Sequence, residues 1–234
     1  MNLIAVMGKA KCGKDTIASE IVASMDGRAT KLAFADKPKR VMMDLYGLSH
    51  DDVYTEEGKA RVTDFDCWKC PGCNGIECIE ILVGREAKIE CKTCTAIGDK
   101  DAFRTKWTVR MMMQFFMSDY AQRIDPLVWV RPALARAQEH LKQQADVVVI
   151  TDCRFRREAE AVWKAGGEVW RIRRPATDRV QVGLPGHASE VQMDEIPDSM
   201  FQVAISNGGT LDQLRGKVKD ALARFRNARH IKQA

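Results

Sequence analysis

Residues 3–16 read LIAVMGKAKCGKDT. The run LIAVM has the length and composition of a short buried strand, and a helical pattern follows the loop. Gly8 and Gly13 allow backbone N–H groups to converge on phosphate oxygens, and Lys14 can reach the β- and γ-phosphates of a nucleotide. The N-terminus of the helix adds partial positive charge. The stretch therefore predicts a phosphate-binding loop at the start of an α/β domain.

The position after the lysine departs from the usual pattern of such loops. Asp15 stands where a serine or threonine is expected, and Thr16 comes one position later. A carboxylate is also a good oxygen ligand for Mg²⁺. The magnesium ligand is therefore either Asp15 or Thr16, and the sequence leaves both open. The residues predicted to bind ATP and Mg²⁺ are Gly8, Lys9, Gly13, Lys14, Asp15 and Thr16.

The rest of the chain alternates strand-like and helix-like segments. VVVI at 147–150 is a β-branched run typical of a central parallel strand, and EVWRI at 168–172 follows a predicted helix. Residues 106–123 have the pattern of a helix. This alternation predicts an α/β fold in three layers, a parallel sheet with helices on both faces.

The chain contains eight cysteines, and six of them lie between residues 67 and 94. Two C-x-x-C pairs separated by seventeen residues match the spacing of a structural zinc site. The predicted ligands are Cys70, Cys73, Cys91 and Cys94. Between the pairs, apolar and polar residues alternate around Gly84 as in a β-hairpin. We predict a zinc-ribbon-like insertion at 67–101 within a domain spanning 1–234. The sequence leaves open whether Cys67 or Cys78 replaces one of these four ligands.

Composition limits the class of protein. The 234 residues are 45% hydrophobic and 29% charged, and no apolar run approaches the roughly 20 residues that span a bilayer. The N-terminal residues lack the basic leader and cleavage region of a signal peptide. We therefore expect a cytoplasmic protein without a membrane partner. Most of the net charge of +5 lies in the last fourteen residues, so a nucleic-acid partner is not favoured.

The segment after the predicted strand at 147–150 favours a kinase over a motor ATPase. Asp152 ends that strand, but no water-activating glutamate stands beside it. Instead, arginines are frequent on both sides of the next predicted strand, with Arg154 before it and Arg173 and Arg174 after it. Guanidinium groups neutralise the charge that accumulates when a phosphoryl group passes between two anionic substrates.

Several ordered segments resemble the phage deoxynucleoside monophosphate kinases, within the P-loop nucleoside monophosphate kinase superfamily. They are GKAKCGKDT (8–16), LAFADKPKR (32–40), TVRMMMQFFMSDYAQRIDPLVWV (108–130), VVITDCRFRREAEAVWKAGGEVWRIRRP (148–175), HASE (187–190) and ISNGGTLDQL (205–214). The resemblance implies transfer of the γ-phosphate of ATP to a deoxynucleoside 5′-monophosphate. One departure is MSD at 117–119, where the family tends to carry Gly-Thr followed by an acid, and it leaves the base preference open.

The resemblance also implies roles for individual residues. Lys14, Arg154 and Arg174 would act on the transferred phosphate, and 174–195 would form a lid. The residues implied to face the acceptor are Asp36, Lys37, Arg110, Gln114, Asp119, Arg123 and Trp129. Arg173, Arg174 and Arg179 would be the charge donors of the lid and bind the substrates' phosphates. Three residues also have a purely structural alternative. Gln114 would lie on a helix face, Trp129 would anchor the core, and His187 would pack within the lid.

Two other functions remain open at this stage. One is a kinase of the same fold with another acceptor, of the dephospho-coenzyme A type. The other is a zinc-ribbon nucleic-acid-binding protein that uses ATP as a switch, although the cysteine-rich block mixes basic and acidic residues. A homodimer is compatible with the sequence.

Overall fold

The computed structural model describes residues 1–175, 193 and 196–230, with the side chain of Asp119 left out. The strands are β1 (Leu3–Met7), β2 (Ala29–Leu32), β3 (Val62–Trp68), β4 (Cys78–Val83), β5 (Glu86–Cys91), β6 (Ile97–Gly98), β7 (Arg104–Thr108), β8 (Val147–Cys153), β9 (Glu168–Arg173) and β10 (Val203–Ser206). The α-helices are α1 (Lys14–Ala23), α2 (Asp36–Tyr46), α3 (His50–Tyr54), α4 (Glu56–Ala60), α5 (Lys100–Phe103), α6 (Val109–Gln114), α7 (Ala121–Ile124), α8 (Val130–Gln143), α9 (Arg156–Lys164) and α10 (Leu211–Ala228). A π-helical segment covers Phe115–Tyr120, and a 3₁₀ turn covers Asp198–Met200.

The chain divides into two compact units. The first comprises Met1–Leu45 and Gln114–Ala234, and the second comprises Tyr46–Met113. The first unit contains the glycine loop, and the second contains the cysteine-rich segment. In the part of the chain that the structure describes, no helix combines the length and apolar character needed to cross a membrane.

The first unit is built on a five-stranded sheet in the order β10-β9-β1-β8-β2. Every neighbouring pair is parallel. All of β1 is buried, as expected for the central strand of a sheet covered on both faces. Because the strands are parallel, their carboxyl ends, and the loops that follow them, meet at one edge of the sheet.

Alternate residues of β1 face opposite cores. Leu3, Ala5 and Met7 belong to one cluster, which includes buried residues of α8 and α9. Ile4 and Val6 belong to the other cluster, which includes residues of α1 and α10. The predicted three-layer α/β fold, a parallel sheet with helices on both faces, is therefore confirmed.

The second unit holds two small antiparallel sheets. β3 pairs with β7 in a two-stranded ribbon, and β4, β5 and β6 form a three-stranded sheet. The β4–β5 hairpin turns at Gly84, whose φ of 66° lies in the left-handed region that glycine adopts without strain. The predicted hairpin around Gly84 is confirmed.

The predicted helix over 106–123 is wrong at its beginning. Residues 104–108 form β7, and the helical part is divided between α6, the π-helical segment and α7. Trp107 and Thr108 have strand propensity, and the carbonyl of Trp107 accepts a hydrogen bond from the Thr63 hydroxyl at 2.9 Å. Pairing with β3, which is distant in sequence, overrides the local helical pattern.

Candidate functional site

The glycine loop joins the end of β1 to the start of α1. Gly13 precedes the helix with a φ of 104°, a left-handed conformation that is strained for other residues. The loop therefore reverses direction at Gly13, and α1 begins with its N-terminus at the carboxyl edge of the sheet. An N-terminus in this position favours an anion.

Neither glycine has room for a side chain. A Cβ on Gly8 would lie 2.6 Å from both the Cys12 sulfur and the Ile172 carbonyl oxygen. A Cβ on Gly13 would lie 2.5 Å from the side-chain nitrogen of Asn207. The loop backbone is thus closely packed against the ends of β9 and β10, and its N–H groups are held in a fixed arrangement.

Lys14 is the first residue of α1, and only 9% of its surface is exposed. Its ammonium group donates hydrogen bonds to the carbonyl oxygens of Gly8 and Lys9, both at 2.7 Å. Asp15 and Thr16 follow on the exposed surface of the first turn. A buried cation and two exposed oxygen-bearing side chains therefore adjoin the same loop, a donor set that fits a phosphate chain and Mg²⁺.

Asn207 fixes the loop from the far end of the chain. Its side-chain amide donates to the Cys12 carbonyl at 2.8 Å, and its backbone N–H donates to the Arg173 carbonyl at 2.7 Å. Asn207 follows β10, so it lies at the same sheet edge as the loop. The sequence alone predicts no role for Asn207. Its position directly after a strand of the sheet is the one feature of the sequence that points to this edge.

Asp152, near the end of β8, holds the segment after β2. Its carboxylate accepts hydrogen bonds from the backbone N–H groups of Phe34 at 2.7 Å and Ala35 at 2.9 Å. Burial raises the pKa of Asp152, and these two bonds oppose that effect. The Asp36 carboxylate accepts from the Ala33 N–H at 3.0 Å. Two carboxylates thus fix the backbone from which the implied acceptor residues Asp36 and Lys37 project.

Glu158 holds the backbone directly after β8. It is 4% exposed, and one of its oxygens accepts from the N–H groups of Arg154 at 2.7 Å and Phe155 at 3.0 Å. Burial raises the pKa of Glu158 to about 7. Burial raises the pKa of Asp152 and of the loop residue Cys12, and the positive charge of Arg154 is one of the smaller effects that oppose this rise.

A cavity of about 220 Å³ adjoins the loop. Its lining residues are Met7, Gly8, Lys9, Arg171, Ile172, Arg173 and Met193. The buried guanidinium of Arg171 donates to the Ile196 carbonyl at 2.7 Å and the Met193 carbonyl at 3.1 Å. Arg173, which the resemblance implies in substrate binding, forms an ion pair with Asp198 at 3.0 Å.

The other implied acceptor residues are distributed over both units. In the first unit, Trp129 is 9% exposed and its indole N–H donates to the Met117 carbonyl of the π-helical segment at 2.9 Å, while Arg123 lies on α7. Gln114 ends α6. In the second unit, Arg110 pairs with Glu56 at 2.8 Å.

Some predicted residues lie outside the described part of the chain. These are Arg179, His187, the side chain of Asp119 and nearly all of the predicted lid at 174–195. Arg174 is described and is largely exposed at the start of that segment.

The second unit contains a separate cluster of four thiols. The sulfur atoms of Cys70, Cys73, Cys91 and Cys94 all lie within 4.8 Å of one another. The backbone N–H of Cys73 donates to the Cys70 sulfur and lowers the pKa of Cys70, although burial opposes this effect. Four thiols so close together could hold a metal ion.

The chain is similar to known proteins in sequence and in structure. A family model described as deoxynucleotide monophosphate kinase matches residues 68–218. A protein of Acanthamoeba polyphaga mimivirus with the provisional name deoxynucleotide monophosphate kinase is 25% identical over 235 residues, 93% of this chain and 94% of that protein. Among solved structures, dephospho-CoA kinase from Campylobacter jejuni is similar with a TM-score of 0.45 at 14% identity, covering 97% of this chain and 98% of that one.

The close packing at Gly13 predicts that Gly13→Ala destabilises the protein. The added methyl group would contact the Asn207 amide, and the left-handed backbone costs an alanine about 1–2 kcal/mol. Gly216→Ala in α10 is the matched control, because its Cβ would meet nothing within 4 Å and should stabilise the helix by about 0.5–1 kcal/mol. Urea denaturation measures both. Equal stabilities would contradict the proposed packing of the loop.

The buried carboxylate of Glu158 predicts a pH-dependent stability. Because the pKa of Glu158 rises from 4.5 to about 7, its contribution is fully present below pH 4.5 and is lost as the pH rises towards 7. The stability of Glu158→Gln relative to the parent should therefore rise by roughly 2–3 kcal/mol between about pH 4.5 and pH 8.

Denaturation at both pH values measures this change. Glu160→Gln is the control, because Glu160 pairs with Arg156 on the exposed surface of the same helix and should show no such trend. A Glu158→Gln variant whose relative stability is constant across this range would show that the carboxylate is not buried as described.

Proposed function

Because the chain belongs to the deoxynucleotide monophosphate kinase family, we propose that it transfers the γ-phosphate of ATP to a deoxynucleoside 5′-monophosphate. The observation that carries the proposal is the glycine loop with the buried Lys14 ammonium at the N-terminus of α1. The family match begins at residue 68, so the loop is support independent of that match.

The loop residues would bind the phosphates of ATP. The two closely packed glycines hold the backbone N–H groups, and Lys14 would exchange its two carbonyl acceptors for phosphate oxygens. Asp15 or Thr16 would hold Mg²⁺ from the exposed first turn of α1. The ion supplies charge neutralisation between the β- and γ-phosphates.

The transfer itself requires little covalent chemistry from the protein. An oxygen of the acceptor phosphate attacks the γ-phosphorus, the bond to the β–γ bridging oxygen breaks, and ADP leaves with that oxygen. The attacking oxygen is already anionic, so no general base is required. The protein's part is to position two anions and to neutralise their charge.

Arginines would supply that neutralisation. Arg154 directly follows β8, at the same sheet edge as the loop, and its backbone N–H donates to the Glu158 carboxylate at 2.7 Å. Arg174 would act from the segment at 174–195, proposed as a lid that excludes water and so limits wasteful hydrolysis of ATP. Arg173 and Arg179 are the further candidates for contacts with the substrates.

The acceptor would lie along the segments that the resemblance singles out. Asp36 and Lys37 begin α2, whose entry is held by Asp152. The remaining proposed acceptor residues are Arg110, Gln114, Asp119, Arg123 and Trp129. For Trp129, the hydrogen bond to Met117 and the Phe116 ring, tilted by 40° with its centroid 6.0 Å away, support an anchoring contribution to the pocket wall.

The rival nucleic-acid function is disfavoured by the charges of the second unit. Lys88 forms ion pairs with Glu86 and Asp99, and other basic side chains of the second unit are paired with acids in the same way. These further pairs are Lys92–Glu90, Lys100–Glu80, Arg104–Asp66 and Lys106–Asp66. Bases neutralised by adjacent acids do not form the positive surface that a phosphate backbone requires.

The assignment of Lys14 predicts a selective loss of activity. Lys14→Ala should lower kcat/KM by about 100-fold or more, because it removes a preorganised donor to the transferred phosphate. Lys31→Ala is the control, since Lys31 is an exposed lysine of β2 that contacts the Ser19 hydroxyl. The measurement is coupled ADP release, with thermal unfolding of each variant alongside. A folded Lys14→Ala protein with normal turnover would refute the loop assignment.

The acceptor class is tested by ADP release over a panel of nucleotides. We expect turnover with at least one deoxynucleoside monophosphate, at a higher kcat/KM than with ribonucleoside monophosphates or dephospho-coenzyme A. Turnover with dephospho-coenzyme A alone would establish the rival acceptor. ADP release that is indifferent to every acceptor would overturn the kinase proposal.

A further inference from the structure

The four-thiol cluster has the dimensions of a tetrahedral metal site. The sulfur of Cys70 lies 3.6 Å from that of Cys94, and the sulfur of Cys73 lies 3.5 Å from that of Cys91. Four ligands at ~2.3 Å from a zinc ion are separated by about 3.8 Å along each edge of the tetrahedron. Disulfides need about 2.05 Å between sulfurs, and all four cysteines are free.

The two C-x-x-C turns have the same backbone conformation. Cys70 donates its N–H to the Gly75 carbonyl at 2.8 Å, and its own carbonyl accepts from the Asn74 N–H at 2.9 Å. Cys91 makes the corresponding bonds with Ala96 at 2.9 Å and with the Thr95 N–H at 2.8 Å. The repeated pattern aims two pairs of thiols at one centre.

Each turn also contains a residue in the left-handed region. Asn74 and Thr95 both have a φ of 59°, which is unfavourable for a β-branched threonine. Such strain persists where the surrounding structure fixes it, and it concentrates at ligand-binding sites. The same left-handed position therefore recurs in both turns, and at Thr95 it is strained, which is an observation independent of the sulfur distances.

Little else stabilises this region. The local core contains only two buried residues besides cysteines, Ile89 and Phe103, with Trp68 packed at its edge. A cluster of this size is too small to stabilise a fold by burial alone, and small modules commonly depend on a metal or on disulfides. The acidic and basic side chains around it are solvent-exposed pairs, which contribute little.

The cluster adjoins one end of the β3–β7 ribbon. Cys70 follows β3 by two residues, and the N–H of Lys69 donates to the Phe103 carbonyl at 2.7 Å, directly before β7. Across the ribbon, Trp68 is paired with Arg104. At its other end the Val109 N–H donates to the Arg61 carbonyl at 3.1 Å. The pairing of the ribbon is therefore fixed next to the thiols over residues 66–68, and it reaches the start of α6 beyond a register shift between Val62 and Asp66.

We propose that Cys70, Cys73, Cys91 and Cys94 bind one Zn²⁺ as thiolates, and that this ion fixes the β3–β7 ribbon in register. Four sulfur ligands select zinc over Mg²⁺ or Ca²⁺, which prefer oxygen. Four protein ligands also complete the coordination, so the ion has a structural role and takes no substrate. The site is independent of the proposed phosphoryl transfer.

The structure separates the four ligands from the two other cysteines of the segment. Cys67 lies within β3, opposite Thr105. Cys78 begins β4, and its thiol contacts the Gly75 carbonyl at 3.6 Å. Neither belongs to the four-thiol cluster. They are therefore matched controls, since each is a cysteine of the same small module.

The first experiment measures metal content in the full-length protein purified without added zinc. We expect about one zinc per chain in the parent and in Cys67→Ser and Cys78→Ser, and a large loss in Cys73→Ser and Cys94→Ser. Replacement by Co²⁺ should give the visible absorption of tetrahedral cobalt–thiolate coordination. Parent protein without zinc and with eight reactive thiols, or loss of zinc in the control variants alone, would overturn the ligand set.

The second experiment tests the structural role on the parent chain, so it does not depend on variants that fold. Zinc removal by a chelator should accelerate amide hydrogen exchange in β3 and β7 by about tenfold or more, while β1 and β8 keep their protection. Adding zinc back should restore protection. Unchanged exchange in the ribbon after complete zinc loss would refute the structural role.

Discussion

The architecture depends on the left-handed turn at Gly13, between the central strand and the first helix. A side chain there would contact Asn207, and a side chain at Gly8 would contact the carbonyl of Ile172. The loop can therefore pack tightly only because β1 lies between β8 and β9, with β10 beyond, so that the loops after these strands converge on it. The phosphate binding that we propose for this loop would depend on strand order as much as on the loop sequence.

Local patterns were sufficient to predict much of this arrangement. β1 is an uninterrupted apolar run and β8 begins with one, and the two C-x-x-C pairs identified the same four thiols that the structure brings together. Residues 106–108 were wrongly predicted as part of a helix, because their pairing with β3 is non-local. For the same reason the sequence did not predict a role for Asn207, since its contact with Cys12 joins residues 195 positions apart. Sequence periodicity carries no information about such contacts.

The buried acids beside the loop illustrate a conflict between stability and function. The carboxylates of Asp152 and Glu158 each accept hydrogen bonds from two backbone N–H groups. The two acids lie on either side of Arg154 in the sequence. Burial raises the pKa of both acids, so each is costly in its charged form. A neutral capping residue would satisfy the same N–H groups with less desolvation. Proteins retain costly groups of this kind mainly where a rigid backbone serves binding or catalysis.

The hydrogen bond from Asn207 to Cys12 also bears on protein synthesis. The loop emerges from the ribosome first, yet the residue that completes its packing is translated 195 positions later. Domains that depend on contacts between distant segments fold slowly, because the chain must close a long loop before the contact forms. A nascent chain that ends before β10 would thus display the glycine loop without its final support. The nucleotide binding that we propose would therefore require that β10 and Asn207 have already folded against the loop.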